Sequence, residues 1–170
     1  LAYVDRVKSD GALIYRRFEE AGNVFSADTT DNGNAGTLLG SGTFRQAGIV
    51  AGNSDYSMTL TGDSYFYGNN FVSKPTNFTL EAWIKTTTTT GGKILGFSSG
   101  QKRAKSQVSD KMIYMTNAGK LIFGTINGST KQALASPLAY NDGKWHHIVA
   151  TQSSTAGSVL YVDGVAVASN

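Results

Sequence analysis

The sequence predicts an all-β protein, a two-sheet antiparallel jelly-roll sandwich that follows a short N-terminal helix. Twenty glycines and many Thr, Ser, Asn, Tyr and Val residues suit short strands joined by tight turns. Several segments alternate apolar and polar residues, as half-buried strands do. The 170 residues contain no evident linker and suffice for one core, so we expect a single domain over residues 1–170.

The N-terminal part is predicted to contain a helix, a strand and a loop. Tyr3, Val4 and Val7 recur at helical spacing and predict a short helix. The segment "ALIYRRFEE" (12–20) predicts a strand, and its two adjacent arginines indicate an edge or half-exposed position. The segment "SADTTDNGNAGTLLG" (26–40) is dense in Asp, Asn, Thr and Gly and predicts a loop.

Three strands are predicted in the centre of the chain, "YSMTLTG" (56–62), "FTLEAWIK" (78–85) and "KILGFSS" (93–99). The alternation within residues 78–85 gives one dry face and a second face that is at least partly wet. Glu81 and Trp83 belong to the wetter face.

Two tight hairpins are predicted in the C-terminal part. "MIYMT" and "KLIFGTI" form a meander that turns at Asn127-Gly128, and the segment 142–170 ends in a hairpin at Asp163-Gly164. Asn-Gly and Asp-Gly supply the positive φ angles that a two-residue hairpin turn requires.

Composition argues against several classes of protein. The 15 Lys and Arg against 12 Asp and Glu give a net charge of +3, too small an excess to indicate a nucleic-acid partner. No apolar run approaches the roughly 20 residues needed to span a bilayer, so we expect no membrane insertion. The absence of cysteine excludes a thiol nucleophile and a thiolate metal site.

The segments "FTLEAWIK", "DGKWHHIVAT" and "VLYVDGVAV", in this order and spacing, resemble the laminin G-like, concanavalin A-type lectin/glucanase superfamily. "YRRFEE", "DTTDNGNAGT" and "MTLTGDSYF" extend the resemblance over nearly the whole chain. It implies one convex and one concave sheet, with ligand and metal sites on the rim loops or the concave face.

Two features depart from that pattern. Arg16 stands where such domains often carry an aromatic residue, and the chain ends at Asn170, before the closing strands that the resemblance implies. We therefore expect part of a longer polypeptide, or β-strand completion by another segment. The alternative is that residues 1–20 supply the missing strand.

One loop predicts a calcium site. Its residues crowd oxygen donors beside a glycine, which suits a hard cation with six to eight oxygen ligands; they are Asp28, Asp31, Asn32, Gly33 and Asn34. In domains that this chain resembles, the corresponding loop often holds calcium. The alternative is a plain turn, because the same residue types also dominate turns.

Catalysis is not predicted. Retaining glycosidases need two carboxyl groups about 5 Å apart, whereas Glu81 is alone on its strand and the neighbours Glu19 and Glu20 face apart if the strand continues through them. His146 and His147 are adjacent in a strand, so they point to opposite faces and cannot chelate one metal ion together. We expect the chain not to be an enzyme.

Aromatic and basic residues offer alternative binding surfaces. Trp83 and three tyrosines predict either sugar-stacking platforms or ordinary packing; the tyrosines are Tyr65, Tyr67 and Tyr114. A basic segment predicts either a contact with an acidic glycan or protein or a solvated loop; its residues are Lys102, Arg103, Lys105 and Lys111.

The resemblance and the missing acid pair predict a non-catalytic carbohydrate-recognition or adhesion module. Its expected partners are surface glycans or neighbouring subunits of a larger assembly, at an extracellular, cell-surface or virion location. The alternative is a structural or protein-interaction decoration domain, for example of a bacteriophage capsid or tail, without glycan binding. A fold alone does not separate these functions.

Overall fold

The structure is a computed structural model that describes residues 2–22, 24–50, 55–70, 72–73, 75–98, 109–127 and 129–170. The chain divides into two compact units, residues 1–73 and 74–170. The single domain expected from the chain length stays a prediction.

The first unit contains one helix and a three-stranded antiparallel sheet. Helix α1 is Tyr3–Ser9, as predicted. Strands β1, β2 and β3 are Phe25–Ser26, Gly36–Ala47 and Tyr56–Gly68, in the order β1-β2-β3. Strand β2 begins inside the segment that the sequence predicted as a loop, because Leu38 and its neighbours pair with β3.

The strand predicted over residues 12–20 is wrong, since no strand is assigned there. The Tyr15 N–H donates a hydrogen bond to the Asp28 carboxylate (2.9 Å) instead of to a neighbouring strand. Phe18 has φ of 54°, a left-handed conformation outside the β region of regular strands. Side-chain hydrogen bonding and this turn therefore override the strand propensity of the segment, and residues 1–20 contribute no strand among those described.

Arg16 takes part in an aromatic cluster in this unit. The rings of Phe18, Phe44 and Phe66 have centroids 5.7–6.4 Å apart, and the Arg16 guanidinium lies 4.8 Å from the centroid of Phe66. A guanidinium stacked on a ring forms a cation–π contact and also buries its methylene stem. The cation thus packs against aromatic rings at the position where the sequence resemblance led us to expect an aromatic residue.

The second unit is a sandwich of two four-stranded antiparallel sheets, in the orders β11-β10-β9-β4 and β5-β6-β7-β8. The strands are β4 Phe78–Lys85, β5 Gly92–Ser98, β6 Ser109–Met115, β7 Lys120–Asn127, β8 Thr130–Ala139, β9 Trp145–Ser153, β10 Gly157–Val162 and β11 Val165–Ser169. The predicted all-β jelly-roll class and the strands predicted after residue 77 are confirmed.

Apolar side chains from both sheets form the core of the sandwich. Its fully buried members include Ile113, Leu121, Ile148 and Leu160, each with 0% exposure. Complete burial of one such side chain contributes about 1.5–3 kcal/mol. The alternation predicted for β4 is confirmed, because Leu80 is buried in this core while the residues on either side of it are exposed.

The turn between β10 and β11 has the predicted geometry. Asp163 has φ of 51° and Gly164 has φ of 80°, as two-residue turns of the I′ class require. Gly128, in the other predicted turn, lies outside the described residues. Within the part of the chain that is described, no helix is long and apolar enough to cross a membrane.

Candidate functional site

Three residues meet on the outer face of the sheet that contains β4. Glu81 and Trp83 occupy the exposed positions of β4, and the register pairs Trp83 with His147 of β9. Because side chains alternate along a strand, these residues face away from the core that contains Leu80 and Ile148. We call Glu81, Trp83 and His147 the Trp83 surface.

The three side chains form one connected arrangement. The indole of Trp83 and the imidazole of His147 are stacked, with centroids 4.5 Å apart and planes inclined by 20°. The Nε2 atom of His147 lies 2.8 Å from Oε1 of Glu81, so Nε2 carries a proton that it donates to the carboxylate. Trp83 remains 37% exposed. An exposed indole beside polar groups can contact the apolar face of a pyranose while its neighbours bond the hydroxyls.

Two loops that are hydrogen-bonded to each other lie at one end of the sheet, beside this surface. Asn141 Nδ2 donates to the carbonyl of Thr88 (2.8 Å), and the Gly143 N–H donates to the carbonyl of Thr86 (3.0 Å). The threonine-rich connection before β5 is therefore tied to the loop before β9. The pairing of Lys85 with Trp145 places this end next to the Trp83–His147 pair.

His146 lies on the opposite side of β9, as predicted. Its Nδ1 is 2.8 Å from Oδ2 of Asp163, its Nε2 is 3.0 Å from Oδ1 of Asp142, and its side chain is 12% exposed. Burial opposes the charged ring, but the two carboxylates outweigh burial and raise the pKa of His146 above its usual value. The described residues contain no group of three or more His, Cys, Asp or Glu suited to a metal ion.

The predicted calcium residues form a hydrogen-bonded loop in the first unit. Asp28 Oδ1 accepts from the N–H groups of Tyr15 and Thr30 (2.9 and 3.0 Å). Its Oδ2 accepts from the Thr30 hydroxyl (2.7 Å) and the Asn34 N–H (3.0 Å). Burial opposes ionisation of Asp28, but these bonds prevail and hold its pKa below the usual range.

The other members of the loop also have structural contacts. Asn32 Nδ2 and Asn34 Nδ2 both donate to the carbonyl of Leu13, at 3.1 and 3.0 Å. The Asp31 carboxylate is 99% exposed and lies 3.9 Å from Lys8 Nζ. Gly33 has φ of 68°, as the turn requires.

As arranged, this loop does not fit a calcium ion. The Asp28 oxygens face N–H and O–H donors, and the side chain of Asp31 points into solvent, so the carboxylates do not converge. Calcium needs oxygens that surround one point at about 2.3–2.6 Å. The geometry favours the turn interpretation, and melting with calcium and with chelator tests whether the loop binds the ion.

The remaining predicted residues lie elsewhere. Tyr65 and Tyr67 are on β3 with ring centroids 6.2 Å apart, and Tyr114 is on β6. Lys111 pairs with the neighbouring Asp110. The other three basic residues of that segment lie outside the described residues.

The carboxylates considered for catalysis have different partners. Glu81 bonds His147 (2.8 Å), Glu19 pairs with Arg17 (2.6 Å), and Glu20 accepts from the Ala27 N–H (2.6 Å). None of these contacts is the pair of carboxyl groups that a retaining glycosidase requires. These contacts do not test enzymatic activity, and the expected absence of activity stays a prediction.

The Glu81–His147 contact joins residues 66 positions apart, which is why sequence reasoning missed it. The available signal was the alternation of the strands, which assigned Glu81 and Trp83 to the wetter face and separated the two histidines. The strand register, which local sequence does not contain, decided which histidine meets Trp83.

Two four-stranded antiparallel sheets around one core define an antiparallel β-sandwich. A laminin G family model described as the concanavalin A-like lectin/glucanases superfamily matches residues 60–170. The chain belongs to this superfamily, as the sequence resemblance indicated. Comparisons with curated proteins and with solved structures gave no significant match.

Proposed function

We propose that this chain is a non-catalytic carbohydrate-recognition or adhesion module whose ligand lies against the Trp83 surface. Domains of this superfamily are often carbohydrate-binding or adhesion modules. Surface glycans at an extracellular, cell-surface or virion location are the proposed partners.

The observation that carries the proposal is the exposed indole of Trp83, oriented by its stack on His147. Stacking limits the rotation of the ring, so little side-chain entropy is lost when a sugar binds. The Glu81 carboxylate adjoins the same ring pair and is a hydrogen-bond acceptor for sugar hydroxyls. An aromatic ring flanked by a carboxylate and an imidazole thus combines apolar contact with polar selectivity.

A glycan array, probed with and without a calcium chelator, tests the proposal. We expect the wild-type protein to bind one glycan class. Trp83→Ala should lower the affinity for that class at least about tenfold, which corresponds to about 1.4 kcal/mol or more, because it removes the central aromatic ring. Leu138→Ala is the control, because Leu138 is apolar and 65% exposed but lies on β8 of the other sheet. Absence of binding by a folded sample, or equal binding by Trp83→Ala, would refute the proposal.

A specific observation favours the second candidate function, a structural or protein-interaction domain. Leu138 and Val165 are 65% and 63% exposed, and exposed apolar side chains contribute to protein interfaces. If no glycan on the array binds and Leu138→Ala weakens binding to a neighbouring subunit of an assembly, the protein-interaction function replaces the carbohydrate-recognition function.

A further inference from the structure

The imidazole of His146 is held between two carboxylates. Nδ1 contacts Asp163 and Nε2 contacts Asp142, at 2.8 and 3.0 Å. An ionised carboxylate only accepts hydrogen bonds, so both ring nitrogens must donate, and this geometry belongs to the doubly protonated imidazolium. We call Asp142, His146 and Asp163 the His146 clamp.

The His146 clamp connects three elements of the second unit. Asp142 lies in the loop before β9, His146 lies in β9, and Asp163 lies in the turn between β10 and β11. Asp142 Oδ1 also accepts from the Lys144 N–H (3.0 Å) and so organises its own loop. A neutral imidazole has only one N–H, so after deprotonation only one of the two carboxylates can keep its hydrogen bond to the ring.

Asp163 connects the clamp directly to the Trp83 surface. Its Oδ2 contacts the His146 ring, and its Oδ1 accepts the backbone N–H of His147 at 2.9 Å. The Asp163 N–H in turn donates to the His147 carbonyl at 2.8 Å. One carboxylate therefore contacts both the titrating ring and the backbone of the residue that stacks on Trp83.

The other charged and titratable groups around His146 are few among the described residues. The ring of Tyr140 meets it edge-on at 5.0 Å, and burial, followed by the charge of Asp163, raises the pKa of Tyr140. Lys144 Nζ is 3.5 Å from Asp142 and is 79% exposed. The residue paired with His146 on β4 is Ile84, which has no charge. His146 is the imidazole that contacts both carboxylates, and its ordinary pKa is near neutral pH. Burial opposes ionisation of Asp163, but the hydrogen bond from His146 lowers its pKa, and the charge of the neighbouring His147 lowers it too. The variants at His146 and Asp142 must therefore separate the two rings.

We propose that the charge state of His146 regulates the Trp83 surface, so that ligand binds more tightly when His146 is protonated. The ligand part of this inference rests on the proposed function. Protonation holds Asp163 in place, and Asp163 holds the backbone of His147 under the indole. Deprotonation removes the charge that attracts the Asp163 carboxylate, so the contacts of Asp163 with the His147 backbone weaken and the stack that orients Trp83 loosens.

Binding measured against pH tests the regulation. The probe is whichever of laminarin, mannan and heparin binds most tightly at pH 5.5, titrated by calorimetry from pH 5.5 to 8.5. We expect affinity to fall about fivefold over this range, the lower end of ordinary coupling between sites. The midpoint should coincide with the titration of the His146 ring protons followed by NMR.

Two variants separate regulation from a structural role. His146→Gln removes the charge, so its affinity should be low and nearly independent of pH. Asp142→Asn retains the histidine but removes one carboxylate, so the ring titration and the binding midpoint should move together to lower pH. A pH profile that His146→Gln leaves unchanged, or a binding midpoint that stays fixed in Asp142→Asn, would overturn the proposal.

A second readout distinguishes failure of this inference from failure of the proposed function. The backbone amide of His147 donates to Asp163, so its NMR shift should follow the titration of His146 without any ligand. If no polysaccharide binds at any pH, the proposed function fails. The change in the NMR shift of the His147 amide can still establish the coupling between His146 and His147. A His147 amide that shows no step at the His146 midpoint overturns the coupling itself.

Discussion

Asp28 holds its loop through four accepted hydrogen bonds, three of them from backbone N–H groups. Asp28→Ala should lower the free energy of unfolding by about 1–3 kcal/mol, because it leaves part-buried donors without an acceptor. Urea denaturation measures this loss. Asp31→Ala is the matched control and should be close to neutral, since that side chain is 99% exposed.

The same pair of variants tests calcium. A bound ion stabilises the folded state by mass action, so melting with calcium and with chelator should differ if the loop holds one. We expect the two curves to coincide, because the Asp28 oxygens already accept protein donors. A calcium-dependent shift that Asp28→Ala abolishes would restore the calcium site.

At the residue scale, stability should also depend on pH through the His146 clamp. The raised pKa of His146 gives stability that is complete below its ordinary pKa of 6.5 and is lost as the pH rises through the folded value. The pKa of Asp142 is lowered to about 2, first by the Lys144 N–H and then by His146. Its contribution is complete above its ordinary 3.8 and is lost as the pH falls toward about 2.

The urea midpoint should therefore be higher at pH 5 than at pH 9. In His146→Gln this part of the pH dependence should disappear, while the loss below pH 3.8 should persist in reduced form. An equal fall between pH 5 and pH 9 in both proteins would show that other groups cause it.

At the scale of elements, two glycines allow the cost of backbone strain to be measured apart from the cost of steric crowding. Gly119, in the turn between β6 and β7, and Gly164 have nearly equal φ angles of 78° and 80°. A Cβ at Gly119 would lie 2.0 Å from Oδ1 of Asn141, whereas a Cβ at Gly164 would have no atom within 4 Å. Gly119→Ala must also displace the amide that bonds Thr88.

Gly164→Ala should cost about 1–2 kcal/mol from the left-handed conformation alone. Gly119→Ala should cost more, by about 1 kcal/mol or above, because overpacking adds to the strain. Thermal or urea unfolding compares the two. Equal losses would mean that Asn141 moves aside without cost.

Strand β11 lies at the edge of its sheet among the described strands. Its sequence "VAVAS" contains neither charge nor proline, and its protective feature is a single register shift opposite β10. Edge strand β8, by contrast, contains Lys131 and Pro137. Unpaired edge groups accept further strands, so we propose β11 as the strand to which another β-segment would add.

We predict that residues 1–170 associate with increasing concentration and that Ala166→Lys suppresses this association. Sedimentation velocity gives the oligomeric state. Ala133→Lys, on the already charged strand β8, is the control and should not change it. A monodisperse monomer at all concentrations would argue against strand addition at β11.

The elements also show where sequence reasoning works. The alternation of β4 and the Asp163-Gly164 turn were predictable because local residues determine them, through period-two burial and through the need for positive φ. The segment 12–20 was not, because the bond from Tyr15 to Asp28 spans 13 residues. A hydrogen bond from a backbone N–H to a distant carboxylate can replace strand pairing and so override the strand propensity of a segment.

For the whole molecule, the core of the second unit tests how cooperatively the chain unfolds. Ile148→Ala removes a side chain with 0% exposure and should lower the free energy of unfolding by about 2–5 kcal/mol. Hydrogen exchange then reports which amides lose protection. If the chain is the single domain predicted from its length, both units should lose protection equally; retained protection in residues 1–73 would show separate unfolding.

At this scale, the candidate site shows what local sequence does not predict. Glu81, Trp83 and His147 were each visible in the sequence as strand residues, but their meeting depends on the register between β4 and β9. Register follows from the whole pattern of burial and from turn geometry. Local sequence therefore predicted which face of its strand each residue occupies. It did not predict that the three residues meet to form the Trp83 surface.

The stack of Trp83 on His147 also gives the protein an internal optical reporter. An imidazole in face-to-face contact with an indole quenches its emission, and more strongly when the imidazole is protonated. A ligand that separates or shields the two rings would alter that quenching. Replacing Trp145 with Phe would leave Trp83 as the only indole in the chain, and its fluorescence would then follow events at this surface without any attached label.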